Sequence, residues 1–258
     1  MHDRPDATQP SAIHVWGVRG IGEVRPGDDV AALIVDAAAQ GPALASGDVV
    51  VVTQKIISKA EGRLVDLATI EPSAFARQWA AEYGKDPRHV EVVLRESRRI
   101  VKMDRGVLVA ETHHGLVCAN AGVDASNVPG HEVLALLPID PDASAQRVRQ
   151  GLEARLGVVV GVVVSDTFGR VWRTGQTNVA IGVAGLRPLA SYVGQTDPYG
   201  YDLRVTELAV ADEIAGAAEL VMAKTAGVPV AVVRGLAHLL GEGTAAALVR
   251  APAQDLFR

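Results

Sequence analysis

Short apolar runs bounded by turn residues recur along the chain and predict buried strands. The run at 48–53 predicts a short apolar strand, and the run at 158–164 is almost continuous valine, which is typical of a strand covered on both faces. Similar short runs at 13–18, 179–183 and 229–233 predict three further strands. The core is therefore expected to contain a sheet whose central strands are fully buried.

Segments with helical spacing of apolar residues lie between these runs. They predict helices over 30–39, 72–83, 87–98, 144–156 and 203–224. Asp28 or Asp29 is expected to cap the first helix, because a short carboxylate accepts bonds from free N–H groups of the first turn. The turn Asp140-Pro141-Asp142 is expected to cap the fourth in the same way.

A β-rich stretch follows the third helix, with short runs at 100–103, 107–112 and 116–119. The turns between them suit antiparallel hairpins. Helix–strand alternation mixed with hairpins indicates an α+β fold rather than a doubly wound sheet. No linker or repeat divides the chain, so we expect a disordered tail over 1–11 and a single catalytic unit over 12–258.

Composition narrows the classes of function. Apolar residues make up 48% of the 258 residues and aromatic residues only 4%, so the core must be aliphatic. The net charge of −5 gives no long-range attraction to nucleic acid, and no run of about 20 apolar residues could span a membrane. The single cysteine, Cys118, excludes an internal disulfide. A cytoplasmic protein without nucleic-acid or membrane partners is expected.

The sequence Ser165-Asp166-Thr167 is expected at the end of the second valine strand, where buried strands commonly deliver side chains to a ligand. A carboxylate beside a hydroxyl suits Mg²⁺ or Mn²⁺. The alternative is that Asp166 only caps a following turn at 168–170.

A loop of small residues at 120–127 carries Asp124 and ends in Asn127. It could bring the carboxylate to a metal and the amide to a base or phosphate, although an ordinary turn built on Asp and Asn remains the alternative. The chain has neither a GxxxxGK[ST] loop nor a GxGxxG fingerprint, so a nucleotide must be held in another way.

Basic residues follow the first valine strand. If that strand continues past Thr53, it could form a positive rim where the buried element ends. The residues of this rim would be Lys55, Ser58 or Lys59, and Arg63, and their charge could neutralise a triphosphate. The alternative is a solvated strand end.

Several other polar residues carry weaker signals. His113 and His114 are expected in a surface turn, and Asp212 and Glu213 on an exposed helix face; Glu242 has no defined role. No Ser/His/Asp or Cys/His set can be assembled, and no general base is identified.

Six segments in this order resemble the coenzyme F420:L-glutamate ligase family, also called F420-0:γ-glutamyl ligases. They are ISKAEGR at 57–63, NAGVDASN at 120–127, PIDPD at 138–142, SDTFGR at 165–170, VADEIA at 210–215 and VVRG at 232–235. The resemblance implies a mixed α/β fold of two interlocked lobes and an intertwined homodimer. It implies GTP-driven amide formation between the carboxylate of F420-0 and L-glutamate, with further γ-linked glutamates possible.

The resemblance also implies roles for individual residues. Metal ligands for Mg²⁺ or Mn²⁺, with K⁺ as a further ion, would be Asp124, Asp166 and Thr167. Nucleotide contacts would be Ile21, Gly22, Glu23, Val24, Gln54, Lys55, Lys59 and Asn127.

The sequence departs from the family pattern after the long helix, where Lys224 stands in place of a glutamate that binds a second metal in some members. We therefore expect one divalent metal, with Lys224 as a counter-charge to phosphate. The chain also carries no reductase-like domain after 258, so it is expected to be either a stand-alone enzyme or part of a longer protein. Two alternatives remain: a ligase acting on a folate or other pterin, and a regulator that binds GTP and metal without turnover.

Overall fold

Helices and strands combine in a mixed α+β architecture, as predicted. A computed structural model describes residues 12–128, 130 and 132–255. The expected tail over 1–11 lies outside the described residues. None of the helices in this part of the chain is long and apolar enough to cross a membrane.

Twelve strands and six α-helices make up the described chain. The strands are β1 (His14–Val18), β2 (Val49–Thr53), β3 (Leu64–Asp66), β4 (Ser97–Asp104), β5 (Val107–Thr112), β6 (Val117–Ala119), β7 (Val133–Ala135), β8 (Gly161–Arg170), β9 (Arg173–Ala184), β10 (Ala190–Ser191), β11 (Glu207–Leu208) and β12 (Val230–Arg234). The helices are α1 (Val30–Ala38), α2 (Gln54–Ala60), α3 (Ala74–Tyr83), α4 (Pro87–Arg95), α5 (Pro141–Leu156) and α6 (Val210–Met222).

The central sheet has five strands in the order β1-β12-β2-β8-β9. Strands β2 and β8 are parallel, with Val52 opposite Val164 and Thr53 opposite Ser165. The other three pairings of this sheet are antiparallel. The two valine-rich strands therefore lie side by side and run in the same direction.

Both faces of this sheet are buried, which explains the absence of polar alternation in β2. Val50 and Val52 pack into the cluster that contains α1 and α5, whereas Val49 and Val51 pack into the cluster under α6. Successive side chains of a strand point to opposite faces, so a strand covered twice must be apolar throughout. Cover on both faces was predicted for the 158–164 run, and it is confirmed in β8, where Val162 and Val164 pack into the first cluster and Val163 into the second.

A third apolar cluster lies within residues 67–136 and packs α3 and α4 against the sheet β4-β5-β6 and the pair β3-β7. The predicted hairpins are confirmed in β4-β5 and β5-β6. Strands β3 and β7 were not predicted, because three residues each give too short a pattern.

Of the two valine strands, one ends where it was predicted to end and the other does not. Strand β2 stops at Thr53, as predicted for the 48–53 run, and α2 begins at Gln54. The strand therefore does not continue to Lys55, which was the condition for a positive rim at the end of a strand. Strand β8 begins at Gly161 and continues to Arg170, so Asp166 lies inside it rather than at its end or in a turn. Continued pairing with β9 supports this extension, with Thr167 opposite Asn178.

Four helices also differ from their predicted bounds by two residues or more, and one of them is α5, which begins at Pro141 rather than 144. The long helix α6 begins at Val210 rather than 203 and ends at Met222, so Lys224 follows the helix. Helix α3 begins at Ala74 rather than 72, and Ser73 caps it by accepting a bond from the Ala76 amide. Helix α4 ends at Arg95, because the chain then enters β4.

The predicted carboxylate caps are confirmed at two helices. Asp29 accepts a bond from the Ala32 amide at 3.1 Å, and Asp140 accepts one from Ala143 at 2.9 Å. Asp142 acts differently, because its Oδ1 accepts the amides of Val183 at 2.7 Å and Ala245 at 2.8 Å. One carboxylate oxygen thus ties the start of α5 to β9 and to the C-terminal segment.

Asp212 was predicted to be an exposed helix carboxylate, and this was wrong. Its Oδ1 accepts the Ala180 amide at 2.8 Å, which fastens α6 to β9, and its burial raises its pKa. His113 and His114 do lie in the β5-β6 turn, where His114 Nε2 is 2.8 Å from the Pro138 carbonyl oxygen. Glu213 and Glu242 are exposed.

The packing of α5 gives a test of the core with a matched control on the same helix. Leu152 is fully buried beneath α1, whereas Leu156, one turn later, is 38% exposed. Leu152→Ala is expected to lower the free energy of unfolding by about 2–5 kcal/mol, because it leaves a cavity. Leu156→Ala should cost less than about 1 kcal/mol. Urea unfolding followed by circular dichroism measures both, and equal losses would contradict this packing.

Candidate functional site

A cavity of about 660 Å³ opens at one edge of the central sheet. The residues that the family resemblance assigned to metal or nucleotide line it, together with Lys224: Ile21, Gly22, Glu23, Val24, Gln54, Lys55, Lys59, Asp124, Asn127, Asp166, Thr167 and Lys224. Its size falls within the usual range for small-molecule sites. Residues spread over more than 200 positions of sequence therefore meet at one place.

The parallel pairing of β2 and β8 explains why these residues converge. Because Thr53 lies opposite Ser165, the residues that follow each of them reach the same edge of the sheet. On one side α2 starts at once and presents Lys55 and Lys59, which are four residues apart and share a helix face. On the other side β8 presents Asp166 and Thr167.

Lys55 and Asp124 form an ion pair across the cavity, with 2.6 Å between Lys55 Nζ and Asp124 Oδ2. Ser126 donates its amide to Oδ1 at 2.8 Å and its hydroxyl to Oδ2 at 2.7 Å. Burial opposes ionisation of Asp124, but the bonds from Lys55 and Ser126 together hold its pKa below the ordinary value. Asp124 is therefore a fixed anion at neutral pH.

Asp166 has the opposite electrostatic character. Burial raises its pKa to about 6, and the nearby charge of Asp124 adds to this, against the Thr167 amide and the charges of Lys55 and Lys224. The Thr167 amide donates to Asp166 Oδ1 at 2.8 Å. The ionised form of Asp166 thus has too little positive charge around it to offset its burial, and a bound cation would supply that charge.

The donor set fits a hard divalent cation. Two carboxylates, Asp124 and Asp166, and the Thr167 hydroxyl are oxygen donors of the type that Mg²⁺ and Mn²⁺ accept. The buried Ser165 hydroxyl lines the same cavity and has no hydrogen-bond partner within the described chain. No group of three or more His, Cys, Asp or Glu side chains suited to a metal occurs among the described residues.

Lys59 is paired with the segment that forms the opposite wall. Its Nζ lies 2.6 Å from Glu23 Oε1, with the lysine side chain 8% exposed and the glutamate side chain 56% exposed. A buried ammonium needs such a partner. The 21–24 segment is thereby held against α2.

Not every basic or polar residue of the 53–63 segment enters the cavity. The Ser58 hydroxyl lies 2.7 Å from Gln54 Oε1 and 2.6 Å from the Leu136 carbonyl oxygen, inside the protein. Arg63 donates to the Leu137 carbonyl at 2.9 Å and pairs with Glu96 at 2.7 Å. The prediction that Ser58 and Arg63 contribute to a positive rim was wrong, because both brace α2 against the chain that follows β7.

A chain of hydrogen bonds along the cavity wall was missed by sequence reasoning. Lys224 Nζ donates to the Thr167 hydroxyl, which donates to Asn178 Oδ1 at 2.7 Å. Asn178 Nδ2 then donates to Glu219 Oε2 at 3.0 Å. Asn178 carried one sequence signal, since it is a polar residue at the start of the apolar run in β9. Glu219 carried no such signal, because nothing in the sequence distinguishes it from other carboxylates on helices.

Comparisons with known proteins agree with this arrangement. The family described as F420-0:Gamma-glutamyl ligase matches residues 19–235. A protein of Methanopyrus kandleri named coenzyme F420:L-glutamate ligase is 46% identical, over 92% of this chain and 94% of its own length. Proteins with the same name from Methanothermobacter thermautotrophicus and Archaeoglobus fulgidus are 44% and 40% identical, each over 95% of this chain, and over 99% and 96% of their own lengths.

The environment of Cys118, close to Asp166, yields a pKa prediction. Burial and the Asp166 charge raise the pKa of its thiol to about 12, so at pH 8 the reactive thiolate fraction is on the order of 10⁻⁴. The native protein is expected to resist Ellman's reagent at pH 8, with the denatured protein as the control that reacts fully. Rapid stoichiometric labelling of the folded protein would refute this picture of the β6 strand.

Proposed function

Since this chain belongs to the F420-0:gamma-glutamyl ligase family, we propose that it joins L-glutamate to the carboxylate of coenzyme F420-0 at the expense of GTP. The observation that carries the proposal is the single cavity that gathers Lys55, Lys59, Asp124, Asp166 and Thr167. Cationic and anionic side chains around one cavity suit a substrate that carries phosphates and a divalent metal.

The proposed reaction solves a chemical problem of the acceptor. A carboxylate is a poor acyl donor, because its leaving group would be an oxide. Transfer of the γ-phosphoryl group of GTP to this carboxylate yields an acyl phosphate and GDP. The amine of glutamate then attacks the acyl carbon, the C–N bond forms, and phosphate leaves with the electrons of the broken C–O bond.

The side chains of this protein would act mainly by position and charge. Lys55 and Lys59 lie on one face of α2, where their ammonium groups would contact phosphate oxygens. Each must first exchange its present partner, Asp124 or Glu23. Gln54 and Asn127 line the same cavity and would hydrogen-bond the guanine edge or a phosphate.

We propose that Asp124, Asp166 and Thr167 hold one Mg²⁺ or Mn²⁺, with K⁺ as a further ion. When bound, such a cation neutralises phosphate charge that develops during transfer. Its binding would release Asp124 from Lys55 and keep Asp166 ionised, so that Lys55 becomes available to the nucleotide. Lys224 reaches Thr167 in place of a second acidic ligand, which supports a single divalent site.

Assembly as a homodimer is part of the proposal. Exposed apolar side chains cluster in the β8-β9 turn and in the segment after β10, where Val171 is 72%, Tyr199 97% and Val205 88% exposed. Such surface is unusual for a monomer and supports an interface between two copies. Sedimentation at micromolar concentration tests this, and a stable monomer would argue against it.

The ligase proposal is tested with purified protein, F420-0, glutamate, GTP and Mn²⁺. Mass spectrometry is expected to show a product heavier by a glutamyl residue, with GTP used in preference to ATP. Asp166→Asn should lower turnover by at least about 10²-fold and weaken Mn²⁺ binding measured by electron paramagnetic resonance, because one metal ligand loses its charge.

Asp36→Asn, at an exposed position of α1, is the matched control and should leave both quantities unchanged. Wild-type activity and Mn²⁺ affinity in Asp166→Asn would remove Asp166 from the site. Glutamylation of a folate under conditions where F420-0 is inert would identify a different acceptor.

Lys224 gives a separate test of the phosphate contact. Lys224→Ala is expected to raise the KM for GTP about tenfold, since a hydrogen bond from a charged donor contributes about 1.5–3 kcal/mol. Lys102→Ala, with a side chain that is 67% exposed on β4, is the control. Anomalous scattering from a complex with Mn²⁺ and a GTP analogue should show one metal per chain. Two occupied metal sites with an unchanged KM would defeat this role.

A further inference from the structure

Glu219 is a carboxylate of the cavity wall that the metal and nucleotide assignments leave unused. We propose that it binds the α-ammonium of L-glutamate and takes its proton before attack, as the general base of the amide-forming step. This inference rests on the proposed function and names the amino-acid subsite within the same cavity.

The carboxylate is held in a defined position. Glu219 lies in the last turn of α6 and is partly buried, and its Oε2 accepts the Asn178 amide at 3.0 Å. Asn178 is itself buried, at 3% exposure, and its Oδ1 accepts the Thr167 hydroxyl at 2.7 Å. Since Oδ1 faces a hydroxyl donor, Nδ2 must face Glu219, and this bond fixes the orientation of the carboxylate.

The second oxygen of Glu219 is available to a ligand. Oε1 has no hydrogen-bond partner within the described part of the chain, and the residue lines the cavity. A carboxylate held through one oxygen with the other open to a cavity is the arrangement that a substrate ammonium requires.

The distribution of charge around the cavity singles out this acid. Four acidic residues line it, namely Glu23, Asp124, Asp166 and Glu219. Glu23 and Asp124 pair with lysines, and Asp166 shares the proposed metal site with Asp124. Among the described residues, no basic side chain forms a salt bridge with Glu219. A ligand cation would fill this role, and the α-ammonium is the cation that glutamate carries.

The hydrogen-bond chain also places this acid beside the reaction. Two hydrogen bonds, through Asn178, separate Glu219 from Thr167, which belongs to the proposed phosphate and metal region. An amine bound at Oε1 therefore approaches from the α6 side of that region. Asn178 is a positioning residue here, because it orients the carboxylate and does not itself touch the amine.

The proton balance of the step is complete. The ammonium gives one proton to Glu219, and the nitrogen lone pair then forms the bond to the acyl carbon. The C–O bond to phosphate breaks and phosphate leaves with its electron pair. The second amine proton passes to the departing phosphate, and Glu219 returns its proton to solvent. General-base assistance of this kind contributes about 10²–10⁴-fold.

The test uses Glu219→Gln, which keeps the shape and removes the charge. Its matched control is Glu213→Gln, at an exposed position of the same helix. With glutamate as the amine, Glu219→Gln is expected to lower kcat/KM by at least about 10²-fold, with a lower kcat as well as a raised KM. Affinity for a fluorescent GTP analogue should not change.

Hydroxylamine supplies the decisive comparison, because its nitrogen is uncharged at neutral pH and needs neither an ammonium site nor a base. It traps the acyl phosphate as a hydroxamate. Glu219→Gln should form hydroxamate from F420-0 and GTP at the wild-type rate while losing amide formation with glutamate. That split distinguishes a general base from a residue that only supports the fold.

Two results would overturn the inference. One is wild-type glutamate turnover in Glu219→Gln, and the other is parallel loss of hydroxamate and amide, which would place Glu219 in the earlier phosphoryl transfer or in structure. A wild-type protein that forms neither product would instead overturn the proposed function, and this inference with it.

Discussion

Parallel pairing of β2 with β8 is the constraint on which the site depends. The register that sets Thr53 opposite Ser165 brings two distant stretches of chain to the same edge of the sheet. Parallel strands demand cover on both faces, and α1, α5 and α6 provide it. The aliphatic core and the polar cavity therefore both result from this pairing. Strands β2 and β8 fill the core, and the residues at and after Thr53 and Ser165 line the cavity.

Much of the fold could be predicted from apolar patterning alone. The valine runs identified the central strands, and Asp29 and Asp140 marked helix starts through local chemistry. The end of β2 at Thr53 was predicted, but helix α2 was not, because it follows Thr53 with no turn residue between them. The length of β8 was underestimated because its pairing with β9, rather than its own polar sequence at 165–170, maintains it as a strand.

Most residues of the candidate site were predicted, but the hydrogen bonds that connect its side chains were not. The residues assigned to metal and nucleotide by matching segments to a known family do line one cavity, whereas Ser58 and Arg63, proposed from charge and polarity alone, do not. Asn178 and Glu219 were missed because their contact joins positions 41 residues apart, on a strand and a helix. Such a contact depends on how α6 crosses the sheet, and no local pattern encodes it.

The direct passage from β2 into α2 has a consequence for how the cavity accommodates its ligands. A helix that continues a buried strand without a loop has no hinge, and Ser58 and Arg63 brace it further against the chain at 136–137. The opposite wall consists of irregular segments at 21–24, 124–128 and 223–229. Compliance is thus confined to one side of the cavity. On ligand binding, the irregular segments should move and become ordered, and they should carry the entropic cost of that ordering. The lysines of α2 should keep their positions.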